Sequence, residues 1–584
     1  MNIGAPVNVS VAAAIAKSFA SSAGSDCDIV FYLESWDAAD KEGPVLGTPL
    51  PGHQLVLRFA SERFAAQLDR WTQAMPPCSS LGGGASRPAQ RAPVSLRPVL
   101  RVPLGSDAEV PAARAAISFA YTGQVPPCSG VRELLDIRRQ AAYLGIDGCP
   151  AECDRLLHDM IAVAVAAAGS TSPVASSRSD PRVAASAVLD LYGCAELFPP
   201  DGTEEEASFR GVLAAARPAL VAHFRDALST LQQPALRGQL LELPAAALEA
   251  LLESDEFGTD CESSVLLLLA TWMQRNHHRT GEGERRRLCR LVRLVQLSRP
   301  YLAFVLPALA ADHEAKPGEP AGWFAIGVTE AAFVSHYASA SGGERARLEE
   351  DFAQVYEMRS PAYSTRTRRQ SLPAAGSSRR FGWHAKKADL EVAMRSALPG
   401  QWYYPRVALD GGLRAVAQGL EWRPVLGFKR GDGSTAALYL KFVLPEAFTA
   451  VPGSRLSASS ASSGGGDANA DVDADGASGG SAPSAVMASV SAEVTLLLDR
   501  GAAPSGHLRE AAITKRYCEC TDFLSAGRSR GWIVMLDRHQ QHQQHHMRHA
   551  HAGTDRALVP VAWKGLLQGG EAVRGALTFL RPTA

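Results

Sequence analysis

Four short stretches stand in one fixed order near the start of the chain, and they restrict what its first part can fold into. They are SDCDIVFYL at 25–33, LPGHQLVLRFASERFAAQL at 50–68, AISFAYTGQV at 116–125 and AAYLGI at 141–146. The first sets Asp28 ahead of a short apolar run, Ile29 to Leu33, as a strand does. The second has a helical period, with Leu57, Phe64 and Leu68 on one apolar face, and opens on His53. Ser61 lies between His53 and Phe64, and a Tyr-Thr-Gly turn runs from Tyr121 to Gly123. A second strand is expected at VLRVPL, 99–104, and helices at about 109–121, 130–144 and 150–166. Ahead of these, Val11, Ile15 and Phe19 recur every four residues and mark a short helix with one apolar stripe.

At 584 residues the chain exceeds a single core, and roughly three or four domains are expected. A linker is read at 167–184, a helical domain at 185–310, a second linker at 311–380 and a strand-rich domain at 381–584. In the helical domain, Leu248, Leu251 and Leu252 share one stripe, and Val265, Leu268, Leu269 and Trp272 another. Antiparallel helix pairs would bury both. The strand-rich part carries short aromatic and β-branched runs separated by turns, which predicts an antiparallel sandwich. A Pro/Gly/Ser-rich loop insertion is read at 76–98, and two low-complexity tracts, at 455–488 and 538–553, are read as disordered insertions. The fold class is therefore multidomain α+β.

The ordered N-terminal set resembles a BTB/POZ domain over residues 25–166, with 1–24 as its N-terminal helix. The resemblance implies structural roles for Asp28, His53, Leu57, Ser61, Tyr121 and Gly123. Leu252, Ser254, Asp255, Glu262, Val265, Trp272, Arg287, Leu291 and Arg293 are similar to the pattern of the BACK domain that commonly follows. Trp422, the Leu438-Tyr439-Leu440 run, the run from Val494 to Leu498 and the closing run from Leu577 to Leu580 resemble a MATH/TRAF-like sandwich. Together these are similar to BTB-BACK proteins of plants and green algae. What they imply is a substrate-recruiting adaptor of a cullin-3-type RING ubiquitin ligase, dimeric through its BTB module, with an unknown protein substrate. The alternative is a BTB scaffold outside ubiquitination that gathers signalling or transcription partners.

For cullin docking the resemblance points to Phe64, Leu68, Trp71, Met75 and Tyr121. The hydrophobic-x-Glu element that often follows is absent, leaving Trp71 and Met75 as apolar anchors. For the dimer it points to Val11, Ile15, Phe19 and Ile29, since a short apolar-striped helix is unstable alone in water.

Several other chemistries find little footing. The net charge of −1 supplies no broad electrostatic footprint for nucleic acid. No nucleophile elbow, zinc-protease motif, phosphate loop or paired-carboxylate constellation stands out. An enzyme is not expected, nor a cofactor. Histidines 539, 542, 545, 546, 549 and 551 alternate with glutamine and read as low complexity rather than a metal site. Cys149 and Cys153, and Cys518 and Cys520, read as incidental thiols. The ten cysteines are scattered and no secretory leader or membrane-spanning run is expected, so reduced thiols in the cytoplasm or nucleus are. Arg366, Arg368 and Arg369 form a thin basic cluster.

Overall fold

The computed structural model describes residues 9–19, 21, 24–34, 43–74, 97–169, 181–200, 202–371, 379–431, 435–456, 487–498, 511–518, 524–525, 529–535, 566–568 and 571–580. Met75, Cys520, the histidine tract and nearly all of the three expected insertions lie outside them. The described chain is a mixed α+β, multidomain protein, and it divides into two compact units, Met1–His223 and Phe224–Ala584.

Unit 1 is built on a three-stranded sheet. Strand β1 (Cys27–Leu33) lies between β2 (Leu50–Gly52), antiparallel to it, and β3 (Val99–Leu104), parallel to it. Alternate residues of β1 point inward, so Cys27, Ile29 and Phe31 are fully buried. Helices α1 (Val9–Ser18), α2 (Gln54–Ala60), α3 (Glu62–Ala74), α4 (Val110–Thr122), α5 (Val131–Leu144) and α6 (Cys149–Gly169) complete the fold around that sheet. Leu57, Phe64, Leu100, Val102, Ile117 and Leu144 meet in one core with β1. Helix α4 stops at Gly123, whose φ of +64° suits glycine and whose N–H donates to the Phe119 carbonyl at 2.8 Å.

Helices α7 (Pro181–Gly193) and α8 (Glu204–Phe224), grouped from sequence with the helical domain, fall within unit 1 up to His223. A buried ion pair is the physical reason. Arg138 of α5 donates to Asp154 of α6 at 2.6 Å, and Ser208 of α8 donates to the same carboxylate at 2.9 Å. The Arg138 guanidinium also reaches the Glu205 carbonyl at 3.1 Å and lies over the Phe209 ring.

Unit 2 opens with helices α9 (Ala227–Gln232), α10 (Pro234–Glu242), α11 (Ala245–Glu253), α12 (Glu262–Asn276) and α13 (Glu282–Arg290). Helix α12 is apolar on most of its circumference, and its run from Val265 to Ala270 is buried throughout. The expected linker at 311–380 is instead structured over most of its length: α14 (Leu306–Ala315), α15 (Val328–Ser339) and α16 (Gly342–Phe352) occupy it. Its Ser/Arg/Pro-rich composition concealed Phe333, Tyr337, Phe352, Tyr356 and Tyr363, whose rings pack together.

The strand-rich part forms two large antiparallel sheets and a small two-stranded one, Met487–Ala488 with Leu524–Ser525, among the described residues. One large sheet runs in the order Ala511–Tyr517, Ala492–Leu498, Ala572–Phe579, Arg379–Lys386, Ala408–Leu409. The other large sheet runs Ser529–Met535, Thr435–Val443, Leu420–Lys429, Trp402–Tyr403. Phe381, Trp383 and Ala385 alternate inward, as do Leu438, Leu440 and Phe442. Trp383 pairs with Gly575, where an added Cβ would meet the indole at 2.1 Å, so the ring lies directly over the glycine.

Helices and sheets of unit 2 are joined by a tight turn at 416–419. The Tyr301 hydroxyl donates to the Gly419 carbonyl, Gly419 N–H donates to Ser264 Oγ at 3.0 Å, and Gln418 N–H to Asp260 at 2.7 Å. Gln232 of α9 donates to the Val416 carbonyl at 2.9 Å.

Candidate interaction surfaces

The signature residues of unit 1 are mostly structural. His53 caps α2 with extended backbone, and its N–H donates to the Tyr121 hydroxyl at 2.9 Å, with the two rings edge-on at 5.8 Å. Ser61 ends α2 and starts α3: its hydroxyl donates to the Leu144 carbonyl at 2.5 Å and accepts from Phe64 N–H at 3.1 Å. Asp28 contributes its backbone N–H, to Pro98, but the carboxylate that reaches α2 is that of Asp26, which accepts from Gln54 N–H at 2.7 Å. No sequence signal separated these two aspartates, because both stand beside the same strand start.

The residues picked for cullin docking do not form a surface. Phe64 is fully buried, Leu68 is 2 % exposed and Tyr121 is 4 % exposed. These three lie on the helix faces turned to the core, not on a face turned to a partner. Trp71 is half-buried, and Met75 lies outside the described residues. The dimer candidates divide. Ile29 is interior; Ile15 and Phe19 pack partly on their own core, with Phe19 5.4 Å from the Tyr121 ring; Val11 is 53 % exposed.

What the structure does expose is an apolar strip that sequence reasoning passed over. Leu55 and Phe59 stand one turn apart on α2 and are 70 % and 78 % exposed. Beside them Val11, Ala14, Ile15 and Val56 border a groove of about 500 Å³, with Asp26 and His53 at one side. Exposed large side chains gathered in this way mark a contact surface more often than isolated ones do.

In unit 2 the motif residues converge on one buried polar network. Glu262 at the start of α12 accepts from Arg368 at 3.1 Å and from the Arg293 backbone N–H at 3.0 Å. The Arg293 guanidinium pairs with Asp255, and Arg366 reaches the other oxygen of that carboxylate at 2.9 Å. Arg368 is fully buried and also donates to the carbonyls of Leu252, Ser254 and Leu291. The basic cluster read at 366–369 is thus a structural latch: it closes the Asp255–Glu262 turn from a segment more than a hundred residues on. The Arg293 hydrogen bond holds the Asp255 carboxyl below the usual range.

The described thiols are free, and several are unsuited to reaction at neutral pH. Burial pushes Cys27 and Cys289 up to about 12, and the Cys153 thiol is raised by its hydrogen bond to Cys149 and by burial. Among the described residues no three His, Cys, Asp or Glu side chains cluster as metal ligands, and no helix is long and apolar enough to cross a membrane.

A family model described as BACK, "BTB And C-terminal Kelch", matches residues 225–306. The match begins at the start of unit 2 and ends at the start of α14, so it covers α9 to α13 with Asp255, Glu262 and Arg293, while Arg366 and Arg368 of the latch lie beyond it. A BACK domain is typical of BTB-BACK adaptors and supports a protein-interaction role. No curated protein matches the chain.

Proposed function

We propose that this protein is a BTB-BACK adaptor that pairs with a second copy through the α1–α2 face of unit 1 and recruits a protein substrate to a cullin-3-type ubiquitin ligase. In this reading unit 1 is the BTB/POZ module and the sheets of unit 2 are a MATH/TRAF-like sandwich that holds the substrate. No bond chemistry is assigned to the chain, and its place of action is the cytoplasm or nucleus, in keeping with its free thiols. The observation that carries the reading is the exposed Val11, Leu55 and Phe59 strip in a chain that also holds a BACK domain. Two copies would bring two substrate sites to one assembly and raise effective concentration.

Light scattering of the full chain, alone and with a cullin-3 N-terminal fragment, tests this. The expected result is a dimer that grows on adding the fragment, and a monomer for Leu55→Glu with an unchanged melting temperature, because Leu55 makes few internal contacts at 70 % exposure. A parent chain that stays monomeric defeats the pairing. A dimer indifferent to the fragment favours a scaffold outside ubiquitination, a reading supported by the burial of Phe64 and Leu68 and by the missing hydrophobic-x-Glu element.

A further inference from the structure

Two cavities of unit 2 are lined by residues of α12 and of the 445–452 segment. The first, about 260 Å³, has apolar walls that include Leu241, Leu267 and Pro445, together with Arg237, Arg414 and Glu421. The second, about 220 Å³, is apolar, with Met273, Trp323 and Val451 around it. Gln274 and Ala447 border both, so the two are neighbouring parts of one groove.

The charges in the first cavity do not cancel. Arg414 pairs with Glu421 at 2.9 Å and with Glu446 at 3.6 Å, and Arg423 takes the second oxygen of Glu421 at 3.3 Å. Arg275, also on this wall, is paired with Glu242 at 2.7 Å. Arg237 has no ion pair within 4 Å among the described residues, and its Nη1 is buried without a hydrogen-bond partner. A buried N–H left unmade is costly, and that cost is recovered when an acceptor arrives. Burial, and then the nearby Arg414 charge, lower the affinity of the Arg237 guanidinium for its proton, which an arriving anion would reverse.

We propose that this groove binds a short peptide segment of a partner protein, with a carboxylate on Arg237 and an adjacent apolar side chain in the Trp323 cavity. Charge complementarity selects the first half of the ligand and the apolar lining the second. The carboxylate has two sources, an acidic side chain or a chain terminus, and both offer the acceptor that a guanidinium fork fits. As the site of substrate capture this rests on the adaptor reading; as a binding site it does not.

Fluorescence polarisation of the full-length protein with three labelled short peptides tests it. One carries Leu-Glu with an amidated end, one ends in leucine with a free carboxylate, and the control carries Leu-Gln with an amidated end. Saturable binding of either acidic probe, at least about tenfold tighter than the control, is expected. Which acidic probe binds identifies the source. Arg237→Met removes this preference, Arg237→Lys restores part of it, and Ala450→Phe, at an exposed position on the apolar cavity, weakens both acidic probes. Melting curves establish that the variants are folded. Equal affinity for acidic and amide probes, no saturation at millimolar peptide, or an Arg237→Met chain that binds like the parent overturns the proposal. These outcomes are independent of oligomeric state and cullin binding, so failure here leaves the adaptor reading to its own test.

Discussion

Replacing Arg368 with methionine removes a fully buried guanidinium while keeping most of its volume. The lost contacts are explicit. Glu262, 3 % exposed, loses both hydrogen bonds from Arg368 Nε, at 3.2 and 3.1 Å, and retains the Arg293 N–H. The carbonyls of Leu252, Ser254 and Leu291 lose donors at 2.6, 3.0 and 3.0 Å. Breaking one side of a buried ion pair costs about 3–5 kcal/mol, and each stripped carbonyl about 1 kcal/mol more. These contributions share one network and do not add fully, which sets the expected loss near 5 kcal/mol. At about 1–2 °C per kcal/mol for a unit of this size, the melting temperature of unit 2 should fall by roughly 5–10 °C. Scanning calorimetry of parent and variant measures this. Adding Glu262→Gln to Arg368→Met removes the uncompensated charge and should recover about 2 kcal/mol. A single variant that melts within a degree or two of the parent would refute the latch, and so would a double variant less stable than the single one.

Further outcomes follow from neighbouring features. Gly419→Ala should destabilise unit 2 by about 2–4 kcal/mol, seen as a lower denaturation midpoint: the site has φ +75°, and a Cβ would meet Tyr301 Oη at 2.6 Å and the Ser263 carbonyl at 2.7 Å. Asp255 is held below its ordinary pKa, so its pairing with Arg293 stabilises the fold above the unfolded carboxyl pKa and is lost as pH falls through the folded one. Acid titration of stability should therefore fall more steeply below about pH 4 for the parent than for Asp255→Asn. Tyr121→Phe strips the acceptor from His53 N–H at the entry to α2, and should cost about 1 kcal/mol, read as faster hydrogen exchange at that amide.

Much of this protein was written in local pattern. Short apolar runs gave β1 and β3, the helical period gave α2 to α5, and Gly123 marked the end of α4, because each depends on residues within a few positions of one another. The residues from Leu252 to Arg293 identified the BACK region for the same reason. Pattern reported that Phe64, Leu68 and Ile29 are apolar and periodic, but periodicity marks the buried stripe, so these residues became core while Leu55 and Phe59, off that stripe, became surface. Composition read 311–380 as a linker and Arg368 as one of a basic cluster, whereas the fold brings that arginine to Glu262 across a separation of 106 residues. An arginine costs too much to bury alone and becomes an interior residue only when a carboxylate and several carbonyls converge on it. That convergence, like the unpaired Arg237 facing a groove, is a property of distant segments meeting in space, and only the tertiary structure decides it.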